Sequence, residues 1–182
     1  RRISGSIPET YEHPSGLLRA STGVSGQPDV WGTAFAVYTG ALPEHEADDA
    51  CRAIARGVRE GTVTYEGQVR HVPANADAAE NSAWERVIGN YGAGTYQNGG
   101  YWATPTGWLC YCLARVDRNL ARKVARNYIS HLREHDYRQG PEFGAPYEWV
   151  HPPDVRQKPV YMTSATCPLA AFRRLRTEGS QE

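Results

Sequence analysis

Methionine is almost missing from this sequence. Met162 is the only one, and the chain begins at Arg1. That opening is not a native start, so the chain is read as compatible with the C-terminal part of a longer protein. Net charge is missing too: 20 Lys and Arg balance 20 Asp and Glu. This removes the electrostatic reason to seek nucleic acid or an anionic membrane. No apolar run approaches the ~20 residues that span a bilayer, so no membrane partner is expected. Cysteine is sparse, with Cys51, Cys110, Cys112 and Cys167 and no paired framework. On a helix, Cys110 and Cys112 would stand about 200° apart, which excludes a shared metal there. They read as buried free thiols, which favours a reducing, cytoplasmic compartment.

What is present suits one globular domain. The 182 residues are 40% apolar and 22% charged, enough to bury a sizeable core. Residues 1–28 are rich in Gly, Ser and Pro and read as an irregular arm; 29–176 read as the domain and 177–182 as a tail. In "DVWGTAFAVYTGALP", Asp29 is a candidate N-cap, the run through Tyr38 is apolar nearly all round, and Gly40 and Pro43 stop it. Such a helix is an inner one. "PEHEADDACRAIARGVREG" has acids early, arginines late and one apolar stripe, so it is an outer, amphipathic helix. The pair repeats in "TPTGWLCYCLARV" and "DRNLARKVARNYISHLREHDY", and "MTSATCPLAAFRRLR" closes the series. "TVTYEGQVRHV" reads as a β-hairpin turning at Glu66-Gly67.

Helices are thus expected near 30–39, 44–60, 104–115, 118–135 and 163–175. The expected fold class is all-α, antiparallel helical hairpins with one small β-hairpin. Short turns follow the inner helices and long loops precede them. That rule brings the long loops, and the inner-helix N-termini, to one end of the bundle.

The stretch "TYQNGGYWATPTGW", 95–108, lies at that end, with "QPDVWG" and "GPEFGAPYEWVHPPD". Together they gather Asp29, Trp31, Gln97, Asn98, Tyr101, Trp102, Glu142, Glu148, Trp149 and His151. Aromatic faces stack on sugar rings while amides and carboxylates bind ring hydroxyls, so this mixture suits a carbohydrate. The alternative is that the aromatics plug helix ends and the acids are solvated or cap helices. Glu142 and Glu148 are the carboxylates that glycoside hydrolysis would use, since it needs a general acid and a second carboxylate. Glu148 lies between Tyr147 and Trp149, which favours desolvation. Glu80 and Glu85, flanking Trp84, are lesser candidates.

These residues resemble the six-hairpin glycosidase superfamily, the (α/α)6 toroids. "TYQNGGYW" resembles their Tyr-Gln-Asn-Gly-Gly-x-Trp loop; "DVWGTAFAVYTG" and "TSATCPLAAFRRL" resemble an inner-helix opening and the closing helix. The resemblance covers 27–176. It implies part of a helical toroid with the site at the N-terminal ends of the inner helices. It implies that Gln97, Asn98, Tyr101 and Trp102 face sugar, and that Glu148 or Glu142 matches the position of a base. A toroid has twelve helices and five are legible here. The missing ones would hold the general acid. The chain is therefore expected to be inactive alone and to pair with an N-terminal segment, another copy or a partner chain. No metal or organic cofactor is expected. The rival reading is a non-catalytic carbohydrate-binding module. An isoprenoid- or thioether-cyclising toroid would need an acidic metal cluster or a zinc Cys/His set, which the cysteines do not supply.

Overall fold

A computed structural model describes residues 2–23, 26–76 and 94–178. Among the described residues there are six α-helices: α1 (Arg2–Thr10), α2 (Val30–Tyr38), α3 (Glu44–Arg59), α4 (Thr106–Val116), α5 (Arg118–Glu134) and α6 (Thr163–Glu178). The last five match the expected helices within a few residues. Asp29 caps α2 by accepting from the Gly32 N–H (2.9 Å). Asp117 caps α5, accepting from the N–H groups of Asn119 and Leu120 and from Arg59. Helix α4 is the hub and packs on α2, α3, α5 and α6. Its Leu109, Cys110, Cys112 and Leu113 meet Val30, Ala34 and Val37 of α2 and Cys51 and Ile54 of α3 in one dry core. Arg115, late in α4, bonds Glu44 and Asp48 at the start of α3.

The strands overturn the all-α expectation, and with it the partial (α/α)6 toroid. A five-stranded antiparallel sheet runs in the order β3 (Thr64–Tyr65), β4 (Gln68–Arg70), β5 (Tyr101–Trp102), β6 (Trp149–His151), β7 (Val155–Gln157). The expected small hairpin is only its first two strands. A second ladder joins β1 (Leu18–Arg19) to β2 (Pro28–Asp29). The arm is also not irregular throughout, since it holds α1 and β1, and Ile7 and Leu18 pack on the core. The reason lies in strand length. Pieces of two or three residues are too short to display alternation, and their partners are remote: Val69 pairs with Trp102, and Trp102 with Trp149.

The sheet sits over the N-terminal ends of the inner helices. The Val30 N–H donates to His71 O (2.8 Å), and Trp31 Nε1 donates to Val69 O (3.2 Å). The Thr106 hydroxyl at the start of α4 donates to Gly67 O (2.9 Å). The end expected to gather the long loops is therefore a built layer, with one backbone N–H and two side chains of the helix starts tied to carbonyls of β4 and the residues flanking it.

Candidate functional site

The register of β5 on β6 draws the candidate residues together. Trp102 lies opposite Trp149, and Tyr101 opposite Val150. Trp31 reaches this group from the first turn of α2, meeting Trp102 edge-on at 5.6 Å and stacking on His71 at 4.6 Å. Tyr96 closes the cluster against Trp102 (5.2 Å) and Trp149 (6.3 Å). Trp31, Asn98, Trp102 and Glu148 thus share one end, as the loop lengths require.

Burial divides them. Asn98, Tyr101, Trp102 and Trp149 are only 5–7% exposed, so their rings pack on protein rather than forming an open platform. Trp102 Nε1 donates to Tyr96 O (3.2 Å), which answers its polar end inside the cluster. Gln97 is exposed; Trp31, Tyr96, Glu148 and His151 are half-buried. This second group is the accessible part of the site.

The Gly99-Gly100 pair serves the packing. Gly99 has φ +123°, and a Cβ there would fall on the Arg70 guanidinium (2.9 Å from Cζ). A Cβ on Gly100 would lie 2.6 Å from Tyr96 O and 2.9 Å from Trp149 Cε3. Both positions lack a side chain because Arg70 and Trp149 occupy that space. Arg70 is buried and lies over the Tyr101 ring (5.8 Å), a cation–π arrangement that offsets its loss of water.

The carboxylates differ. Glu148 stands at the bend that opens β6, its N–H shared by Gln157 O and Lys158 O (both 3.1 Å). Glu142 is exposed in a turn closed by the Phe143 N–H on Gly140 O (3.1 Å). Asp29 is engaged at its helix cap and lies 3.2 Å from His71 Nε2, both through Oδ1, which makes it a capping residue first. His151 Nδ1 sits 2.7 Å from Pro152 O. Glu80, Trp84 and Glu85 lie outside the described residues.

Three residues that sequence reading passed over converge where the β3–β4 turn meets α5. Glu66, His131 and His135 bring one ligand atom each within 4.8 Å of one another, the group among the described residues able to hold a metal ion. The signal was present in "HLREH": two histidines four apart on one face of a helix. Burial holds His131 down at about 4, helped by the nearby His135 and Arg156. It is therefore neutral at neutral pH.

A groove of about 580 Å³ between α4, α5 and α6 is lined by Tyr111, Ala114, Arg118, Ala125, Phe172 and Leu175 among others. None of the candidate sugar-site residues line it.

No family model matches this chain, no curated protein is found similar to it, and no solved structure matches it. On the chain's own geometry it is a helical domain capped by an antiparallel sheet, with aromatics and amides at the capped end.

Proposed function

We propose that the sheet-capped end binds carbohydrate and that the chain is part of a glycoside hydrolase, with Glu148 as the carboxylate that acts at the glycosidic bond. The observation that carries this is the Trp102–Trp149 pairing across β5 and β6. It joins the loop bearing Gln97 to the loop bearing Glu148 and His151, around one aromatic cluster that also takes in Trp31. Gln97 and His151 supply hydrogen bonds to ring hydroxyls. The half-buried rings of Trp31 and Tyr96 supply apolar surface. The buried Trp102, Tyr101 and Trp149 hold these groups in place, a positioning role rather than direct stacking. Hydrolysis needs a second carboxylate as general acid. Glu142, exposed on its turn, is the lesser candidate. An acid brought by a further segment, a second copy or a partner chain completes the pair in this reading. Phe35, 46% exposed and 4.8 Å from Trp108, is an apolar surface suited to such company.

The test is release of reducing sugar from a panel of oligosaccharides by the protein in the assembly it forms. Glu148→Gln should lower cleavage roughly 10²–10⁴-fold, while Glu142→Gln changes it only a few-fold. Cleavage indifferent to Glu148→Gln would end the assignment. The second reading, binding without cleavage, is favoured by the exposure of Glu142. Saturable sugar binding with no cleavage in any assembly would select it.

A further inference from the structure

The β3–β4 turn has an unusual residue at its tip. Glu66 and Gly67 have φ of +50° and +75°, the left-handed pair that a two-residue hairpin turn demands. Asn, Asp or Gly normally fills the first place, because a longer side chain there strains the backbone. The turn is pressed against α5: a Cβ on Gly67 would lie 2.6 Å from Val124 O and 2.7 Å from Tyr128 Cβ. One helical turn further along, α5 presents His131 and His135, and Glu66 is held above them.

The contact that results is not an ordinary one. Glu66 Oε2 lies 2.8 Å from His131 Nδ1. Yet neither atom, nor His131 Nε2, has a partner in hydrogen-bond geometry, and all three are out of reach of water. His131 itself is 3% exposed. Polar atoms buried in this way without a partner are rare. They stand side by side instead of donor to acceptor, as the ligands of a common ion do. Three ligand atoms within 4.8 Å of one another lie within small side-chain adjustments of the about 3.3 Å spacing that a tetrahedral zinc centre needs at the usual bond lengths. The surroundings agree with a nitrogen-binding ion. Tyr128 stacks on its ring at 6.3 Å and Tyr147 meets it edge-on at 5.9 Å, which makes a dry wall. Arg156 is the opposing charge, but its Nη2 is 3.7 Å from Glu66 Oε1, the other oxygen.

We propose that Glu66, His131 and His135 form a site for one zinc-class divalent cation, with a fourth position left for water. Two imidazoles and one carboxylate suit Zn²⁺ and its surrogates Co²⁺ and Ni²⁺; Mg²⁺ and Ca²⁺ prefer more, and all-oxygen, ligands. The ion would pin the sheet to α5, since Glu66 belongs to one and the histidines to the other. The site is separate from the proposed sugar site and stands or falls independently of it.

The test uses the untagged chain, stripped with EDTA and titrated with ZnCl₂ near neutral pH by calorimetry, and with CoCl₂ by visible absorption. One equivalent should bind with micromolar or tighter affinity, and Co²⁺ should give the intense visible bands of a four-coordinate centre. His135→Ala and Glu66→Gln, each folded by circular dichroism, should weaken Zn²⁺ at least roughly tenfold. Zn²⁺ should raise the Tm of the wild type but not of Glu66→Gln. Absence of saturable uptake by the wild type, or uptake of one equivalent unchanged in both variants, would overturn the site.

Discussion

Gly67→Ala should damage this fold far more than the same change at Gly61, and the difference measures how tightly the sheet is docked on α5. Both glycines sit in left-handed backbone, at φ +75° and +73°. An alanine methyl in that conformation costs about 1–2 kcal/mol at either place. At Gly61 nothing lies within 4 Å of the new carbon, so that conformational cost is the whole effect. At Gly67 the methyl would meet the α5 backbone at Tyr128 and Val124. Backbone cannot swing aside as a side chain can. The turn must lift, breaking the bond from the Thr106 hydroxyl to Gly67 O. Overpacking of this kind adds about 1–3 kcal/mol. Gly67→Ala should therefore cost roughly 2–5 kcal/mol in all, a large part of the ~5–15 kcal/mol that holds a domain together. Urea melts of the two variants, followed by circular dichroism and fluorescence, read the difference as a shift in midpoint. Equal midpoints for the two variants would refute the docking of the β3–β4 turn on α5.

Trp102→Ala should destabilise the fold by about 3–5 kcal/mol, because the ring is buried among Trp31, Tyr96 and Trp149; thermal melts would show a substantial fall in Tm. Of the four thiols, Cys167 alone is partly exposed, and burial pushes Cys110 up to about 12; Ellman's reagent should find one fast thiol in the native protein and four in denaturant, and two or more fast native thiols would contradict this. The Arg138 side chain, then its backbone N–H, holds Asp136 down at about 2 from 3.8. Because this folded pKa is depressed, its stabilising contribution is present above 3.8 and lost as pH falls towards 2; a carboxyl titration followed by NMR should move upward in Arg138→Ala. Light scattering should find the chain self-associated or partner-bound, and Phe35→Glu should weaken that association.

The helices were legible because their signals are local. Asp29 and Asp117 cap them, Gly40 and Pro43 break them, and the apolar period of "WLCYCLARV" marks an inner segment before any neighbour is known. The sheet was not legible for the opposite reason. Tyr101-Trp102 is a strand only because Arg70 and Val150 arrive beside it from distant parts of the chain, and two residues carry no period of their own. The candidate site was legible in part. Its residues do share one end, but whether an aromatic faces solvent or its neighbours depends on three loops at once. Trp102 and Trp149 therefore read as sugar platforms, yet are packed as pillars. The Gly99-Gly100 pair makes room for Arg70 and Trp149, a demand that only the tertiary contact reveals. His131 and His135 were visible at helical spacing, but Glu66 is a third ligand only through tertiary contact.

Isothermal titration of the chain with a panel of oligosaccharides, repeated on Gln97→Ala, tests the proposed carbohydrate site most directly. Gln97 is exposed, so its removal leaves the fold intact and isolates recognition from stability. The account predicts saturable binding of at least one sugar class, weakened roughly tenfold in Gln97→Ala, as losing one or two hydrogen bonds to the ligand would do. No binding across the panel, or binding that Gln97→Ala leaves unchanged, would contradict it.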